Sequence, residues 1–322
     1  MRMKRFIALR IPNWPIQRLL AREPSLDGLP LLLEFRTAKG KVVVACSEQA
    51  EDLGVRPGML VGEATSLRFV KNQCIRRQHD PAEETAALER LCDWCEIFSP
   101  TRAIADDANP DTLLLNVTKL DQVFGSEENL VATIQRQCRA IRLEPIVVLT
   151  NTIAAALAIS CFEARKNHPG TFTVPPGSDL PAVVSLPLAA MRLKSKNLAD
   201  LRSLGLETIG DVLKLPRSHL SARFGRELME RIDELSGIRE EVLNSSVTED
   251  QLYASYALEW PASCLDVICH LLKKLLRQVV VKLTANNSYA SQLVSVLNLE
   301  NGNQRMIVTG LCQPTREFDY IW

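Results

Sequence analysis

Apolar residues recur along the chain with two different periods. Residues 5–11 (Arg-Phe-Ile-Ala-Leu-Arg-Ile) form a short apolar run stopped by Pro12, which predicts a buried strand. Residues 15–22 predict a short helix. Leu29 to Phe35 and Lys41 to Ser47 are strand-like, and Thr37-Ala-Lys-Gly40 between them has turn chemistry, so a hairpin is expected. A helix follows at about 47–53. Gly54 stands where a helix end needs a left-handed residue, and Val55-Arg-Pro-Gly-Met59 then makes a tight loop. The helical period returns over about 82–97. Asn109-Pro110-Asp111 leads into a strand from Thr112 to Thr118. An amphipathic helix is expected over 127–141, a buried strand over 145–150 and an alanine-rich helix over 151–166. Strands and helices mix without regular βαβ alternation, so the fold class is α+β.

Composition changes near 168–184, around His168-Pro-Gly and Pro175-Pro176-Gly177. Residues 185–243 read as helices joined by short glycine-containing turns. The polar stretch Asn244-Ser-Ser-Val-Thr-Glu-Asp250 reads as a linker. The last section begins a βαββ pattern, with a strand at about 252–258, a helix at about 263–283 and strands at about 289–299 and 304–311. It stops at Trp322, where the expectation is a domain cut part-way through its pattern. The domains expected are 1–183 with an insertion at about 12–78, 184–243, a linker over 244–250, and 251–322. No repeat of solenoid length is present. A chain of 322 residues has room for two to four domains.

Composition is that of a globular protein, 46% hydrophobic and 24% charged. No apolar run approaches the roughly 20 residues of a membrane span, so no membrane partner is expected. The basic start from Met1 to Arg5 precedes an apolar stretch broken by Pro12 and Pro15, so no signal peptide is expected. Nine scattered cysteines predict free thiols in a reducing cytoplasm. Cys92 and Cys95 have C-x-x-C spacing, but Ala86, Leu88, Leu91, Cys92, Cys95 and Ile97 recur at helical spacing. The pair therefore reads as part of a buried helix face, and one pair is only half a tetrahedral zinc site. No metal or cofactor is expected.

Lys plus Arg and Asp plus Glu both number 38, so net charge is zero. What matters for a polyanionic partner is where the cations cluster. The segment Leu198-x-x-Leu201-x-x-Leu204-Gly205-Leu206-x-Thr208-Ile209-Gly210-Asp211-Val212-Leu213 has a helix-hairpin-helix pattern. One helix ends at Gly205, Ile209 and Val212 plug the hairpin, and Thr208 caps the next helix. Amides at such a helix start can hold a phosphate without reading sequence. A second copy runs from Leu215-Pro216-Arg217 to Leu220, then Arg223-Phe224-Gly225-Arg226. Between 191 and 226, Arg192, Lys194, Lys196, Arg202, Lys214, Arg217, Arg223 and Arg226 face only Asp200, Glu207 and Asp211. DNA contacts are expected at Lys194, Lys196, Gly205, Thr208, Gly210, Arg217, Arg223, Gly225 and Arg226.

Nearly the whole chain resembles the Y-family (DinB/UmuC-type) DNA polymerases. Ala50-x-x-x-Gly54-Val55-Arg-x-Gly58-Met59 is similar to the family's fingers signature, and Leu113-Leu114-Leu115-Asn116-Val117-Thr118 to its palm strand. The resemblance implies a mixed α/β palm with small fingers at about 12–78, a helix-hairpin-helix thumb over 184–243 and an incomplete βαββ little finger over 251–322. It also implies carboxylates that hold two Mg²⁺ ions at the reacting phosphates. In register with those ligands stand Arg10, Asp111 and Thr112, with Pro12 beside the first. Glu48 and Glu51 occupy the positions of a tyrosine and an arginine that meet the triphosphate. Ile153 and Leu157 occupy those of two lysines. At an effective dielectric near 20, turning an unlike pair into a like pair at about 4 Å shifts the interaction by several kcal/mol. The resemblance thus implies that the metal and nucleotide sites are lost, and Arg10 is expected to pair with Asp111 or Glu51.

Leu9-x-Ile11-Pro12-x-Trp14-Pro15, Leu120-x-x-Val-Phe124-Gly125 and Thr152-x-Ala-Ala155-Ala156-x-Ala158 resemble the ImuB branch, as do Leu215-Pro216-Arg217 and Arg223-Phe224-Gly225. That resemblance implies a cytoplasmic, nucleoid-associated, non-catalytic adaptor in SOS-type error-prone translesion synthesis. Its partners would be damaged or primer-template DNA, the sliding clamp, a RecA-like ImuA-type protein and an error-prone replicative-type polymerase. Gln292-Leu293-x-x-Val296-Leu297 has clamp-motif character but falls in an expected strand. Two alternatives stay open: an active error-prone polymerase whose Mg²⁺ ions use Asp107, Asp111 or other acids in a shifted register, with Asp106 and Asp107 nearby in sequence, and a folded fragment with no DNA role.

Overall fold

The computed structural model describes residues 4–67, 74–105, 110–163, 170–243, 252–258, 260–286, 288–300 and 304–322. The first strand, β1 (Phe6–Arg10), is the middle of a five-stranded sheet. Its partners are β6 (Thr112–Asn116) on one side and β7 (Ile146–Thr150) on the other, both antiparallel. Strand β5 (Arg102–Ile104) extends the sheet beyond β6, and β8 (Thr171–Thr173) runs parallel to β7 at the far edge. A central strand buries both faces, which explains the unbroken apolar run from Phe6 to Leu9. Alternation then sorts the side chains. Ile7, Leu9, Leu113, Leu115, Val147 and Leu149 fill one core, while Phe6, Ala8, Leu114, Ile146 and Val148 fill the other.

The first of these cores is covered by α4 (Pro81–Trp94), α6 (Glu127–Ala140) and the short α5 (Asp121–Phe124), with Val281 from the C-terminal section. Cys92 and Cys95 lie in it, as the helix reading expects, and neither forms a disulfide. The second core is covered by α7 (Ile153–Glu163), α8 (Asp179–Val183) and the helical section that follows.

A separate three-stranded sheet has β2 (Leu31–Thr37) at its centre. It pairs antiparallel with β3 (Gly40–Cys46) and parallel with β4 (Ile75–Gln78). Helix α1 (Trp14–Arg22) packs Ile16 against Leu31, Leu33 and Ala45. Helices α2 (Glu48–Asp52) and α3 (Val61–Ser66) cover the other face, through Ala50, Val61 and Ala64. The Ser47 side chain caps α2, and Gly54 follows at φ +94°, the left-handed position the sequence signals.

The helical section has α9 (Ser195–Ser203), α10 (Ile209–Leu213) and α11 (Arg217–Ser236). Gly225 interrupts α11 at φ 72°, ψ −161°, so two helices meet there at a sharp kink. The C-terminal section has α12 (Leu265–Ala285), an antiparallel pair β9 (Ala290–Asn298) and β10 (Gln304–Thr315), and α13 (Phe318–Ile321).

Mixed sheets and helices agree with the α+β class, but the βαββ reading needs correction. Residues 252–258 form no strand. Tyr253 and Tyr256 are exposed, and the segment lies along α12 instead: the Lys282 ammonium donates to the Tyr253 carbonyl at 2.7 Å, and Lys274 sits over the Tyr256 ring. An extended segment becomes a strand only with a partner, and among the described residues β9 pairs only with β10. The clamp-like stretch from Gln292 to Leu297 is locked in that ladder, Leu293 facing Thr309 and Leu297 facing Arg305. The expected linker at 244–250 lies outside the described residues. No described helix is long and apolar enough to cross a membrane.

Candidate functional site

Strand β1 ends at Arg10, opposite Thr112 on one neighbour and Ile146 on the other. The Arg10 Nε donates to Asp111 Oδ2 at 2.8 Å, and its Nη1 donates to the Ser160 carbonyl on α7 at 3.3 Å. Thr112 Oγ1 donates to the other carboxylate oxygen, Asp111 Oδ1, at 2.7 Å. Backbone bonding holds the register, since the Ile11 amide donates to the Asp111 carbonyl at 2.8 Å. The Arg10 and Asp111 side chains keep only 21% and 22% of their exposure. Of the two ion pairs expected for Arg10, the one with Asp111 forms.

The adjacent cleft, about 1110 Å³, opens between the two sheets and is lined by Pro12, Asn13, Glu48, Glu51, Asp111 and Arg142, among others. Asn13 spans it in a left-handed conformation and donates from Nδ2 to the Cys46 carbonyl at 2.8 Å. Burial first, then the charge of Glu51, push the Cys46 thiol up to about 11. On the same wall His79 Nδ1 lies 3.0 Å from Glu84 Oε1. Burial lifts the Glu84 carboxyl above the ordinary carboxylate range, against the pull of His79 and Arg18.

Ile153 and Leu157 are not part of this cleft. Both are 5% exposed and pack in the core with Phe6 and Ala8, because helix α7 turns them toward the sheet. Thr112 is buried and reaches the site only through Asp111.

The described residues do not fit a pair of divalent ions. The Arg10 guanidinium lies against the Asp111 carboxylate, and both oxygens of that carboxylate are already engaged. Among the described residues no three His, Cys, Asp or Glu side chains cluster as metal ligands. Asp106 and Asp107, the acids of the shifted register, lie outside the described residues.

At the start of α10, Thr208 and Asp211 form a reciprocal capping box. The Thr208 hydrogen bonds, with help from Lys214 and the Glu207 amide, hold the Asp211 carboxyl well below the usual carboxylate range. The neighbouring amides are also committed: Ile209 N–H donates to the Leu186 carbonyl at 2.9 Å, and Gly210 N–H to the Val184 carbonyl at 2.8 Å. The expectation that Thr208 and Gly210 offer free amides to a phosphate is therefore corrected, because the fold uses those donors internally. Gly210 is needed for close approach, since a Cβ there would meet the Val184 oxygen at 3.0 Å. Gly205 and Gly225 are exposed at φ +78° and +72°, and an added Cβ at either would meet open space.

The basic excess is smaller in three dimensions than along the sequence. Lys214 pairs with Asp211, Arg217 with Asp233, Arg226 with Glu230, and Arg192 with Glu241. The last three acids lie beyond residue 226 and fold back onto the cationic stretch. Lys194, Lys196, Arg202 and Arg223 are exposed, and no ion pair joins them to any described residue.

The profile of the impB/mucB/samB family matches residues 11–168. Protein ImuB of Caulobacter vibrioides (strain NA1000 / CB15N) is 30% identical over 265 residues, which span 82% of this chain and 56% of that protein. DNA polymerase IV of Shewanella woodyi (strain ATCC 51908 / MS32) is 28% identical over 230 residues, 69% of this chain and 59% of the relative. The chain thus spans little more than half the length of these curated relatives. Among solved structures, an insertion ternary complex of Dbh DNA polymerase superposes with a TM-score of 0.61 at 16% identity. It covers 98% of this chain and 90% of that one. DinB from Sulfolobus solfataricus gives 0.59, with the same identity and coverage. At such identity these two matches establish the fold alone.

Proposed function

The chain belongs to the Y-family as a DinB/UmuC-type, ImuB-like protein, and on that premise we propose that it is a non-catalytic adaptor at damaged or primer-template DNA. It would assist a partner polymerase in error-prone translesion synthesis. The five-stranded sheet with its helices is then the palm, the three-stranded sheet the fingers, residues 184–243 a helix-hairpin-helix thumb and the C-terminal section part of a little finger. The sliding clamp, an ImuA-type protein and a replicative-type polymerase are the proposed partners, and the nucleoid is the proposed place of action.

One observation carries this reading. Arg10 bonds Asp111 at the end of β1, where metal-assisted phosphoryl transfer needs carboxylates free to hold ions. Glu48 and Glu51 on the facing wall add negative charge where a triphosphate would lie. DNA contact is a separate property. Lys194, Lys196 and Arg223, with Arg226 88% exposed beside the Gly225 kink, can reach phosphates without reading bases. Arg217 and Arg226 would exchange their carboxylate partners for phosphate. Residues Gly205 and Gly225 would allow the backbone to come close to the duplex.

The test is primer extension with Mg²⁺ and with Mn²⁺ on undamaged and lesion-bearing templates. The expected result is binding without extension. Template-dependent extension by the purified chain would falsify the adaptor reading and favour the shifted metal register.

A further inference from the structure

We infer that the Arg10 guanidinium is a built-in counter-ion that replaces a divalent cation as the bridge between β1, the entry to β6 and α7. This deepens the adaptor reading and rests on it. The guanidinium is held by hard oxygen donors: the Asp111 carboxylate across the β1–β6 pair and the Ser160 carbonyl from α7. These are the donors a Mg²⁺ or Mn²⁺ ion would take, supplied by the entry to β6 and by α7, while β1 supplies the cation. A metal bridges such oxygens from a point, whereas a guanidinium does so with directed N–H groups fixed to the chain. With both side chains about four-fifths buried, Asp111 needs a cation beside it wherever that cation comes from. Here the cation is covalently part of β1 and cannot dissociate.

Replacing the cation by a carboxylate should therefore change what holds this corner together. In the variant Arg10→Asp, two carboxylates would face each other beside the Ser160 carbonyl, with Glu48 and Glu51 on the cleft wall. Without metal they repel. With metal they form an oxygen-rich chelate. Arg10→Gln removes the charge without adding a ligand and separates the two effects.

The experiment compares thermal melting of the unmodified chain, Arg10→Asp and Arg10→Gln in EDTA, in Mg²⁺ and in Mn²⁺. Binding of Mn²⁺ is read in parallel from the loss of its free-ion EPR signal. The unmodified chain should melt at the same temperature in all three conditions and bind no Mn²⁺ at this position. Arg10→Asp should melt roughly 2–6 °C lower in EDTA, recover most of that loss in Mn²⁺, and bind the ion. Arg10→Gln should melt lower as well and recover nothing. If Arg10→Asp folds but ignores metal, or melts like the unmodified chain in EDTA, the inference is wrong. If Arg10→Asp does not fold, Arg10→Gln decides: stability equal to that of the unmodified chain overturns the counter-ion role. The adaptor reading fails separately, through template-dependent extension by the unmodified chain. Melting data cannot produce that result.

Discussion

Arg5 and Arg10 bracket β1 and do different work at its two ends. Arg5 is 5% exposed and makes a two-pronged bond to Glu127, at 2.7 Å from Nε and 2.6 Å from Nη2. Its Nη1 also donates to Asn151 Oδ1 and to the Val174 carbonyl. One side chain thus ties β1 to the start of α6, the turn after β7 and the segment after β8. Arg5→Ala leaves those acceptors facing each other, and loss of about 3 kcal/mol is expected because breaking a buried pair strands its partner. The urea midpoint should fall with an unchanged slope. Arg5→Lys should recover only part of the loss, since an ammonium cannot fork across two oxygens. The buried thiols carry a pH signature. Burial pushes Cys138 up to about 12 and Cys46 to about 11, from 9.0. Unfolding releases both thiols to ionise near pH 9, so their contribution is intact below about pH 9 and is lost as pH rises through about 12. Alkaline unfolding followed by circular dichroism should begin above pH 9, and Cys138→Ala should flatten that slope. Unchanged slopes would mean that other groups drive the alkaline transition.

At the scale of elements, two glycines of the helical section serve opposite purposes, and alanine distinguishes them. Gly210 lets α10 press against Val184, so Gly210→Ala should cost about 1–3 kcal/mol by overpacking. Gly225 has open space around it, and its cost comes from a backbone shape that side chains rarely adopt. Gly225→Ala should lose a similar 1–3 kcal/mol by strain and also weaken DNA binding by reshaping the kink. Gly210→Ala should leave binding by the folded fraction unchanged. Melting and fluorescence anisotropy on the same samples check both statements. Equal effects on binding would show that the Gly225 kink has no special part in it. The central strands were legible in the sequence because a strand buried on both faces reads as an apolar run whatever its partners. The edge strands β5 and β8 were not, because Arg102–Ile104 and Thr171–Thr173 are too short to show a period. Residues 252–258 failed the other way: the apolar and aromatic run is present, but sequence carries no sign of whether a ladder partner is present. The Arg10–Asp111 pair was legible through the family register, which set Arg10 near Asp111 and Glu51 but did not choose between them; the β1–β6 pairing makes the choice. The spent amides of Ile209 and Gly210 were not, because their acceptors belong to Leu186 and Val184 in a segment without regular structure.

For the whole molecule, one core decides how the cationic surface is carried. Phe6, Ala8 and Val148 of the sheet share a cluster with Leu201, Ile209, Leu220 and Phe224 of the helical section. The helices are therefore set in a fixed relation to the sheet, and exposed cations on them present a preformed surface. Net charge is zero, so the chain as a whole has no net attraction for DNA, and affinity must come from local clusters of cations at phosphates. Those contacts release counter-ions, and each phosphate neutralised contributes about 0.9 to the slope of log affinity against log salt. Cations already tied to carboxylates release less, because the internal pair must open first. Lys194 and Arg223, exposed and without an ion-pair partner among the described residues, should therefore weigh most. Lys194→Glu combined with Arg223→Glu is expected to weaken binding at least tenfold and to lower the salt slope by about 2. Arg217→Glu should remove less from the slope because Asp233 already occupies that guanidinium. Sequence dependence should stay flat across duplexes in every variant, as contacts to phosphate carry no base information. An unchanged slope in the double variant, with helix content intact, would place the DNA surface outside the helical section. The thumb reading would then have to be given up even if the adaptor role survived.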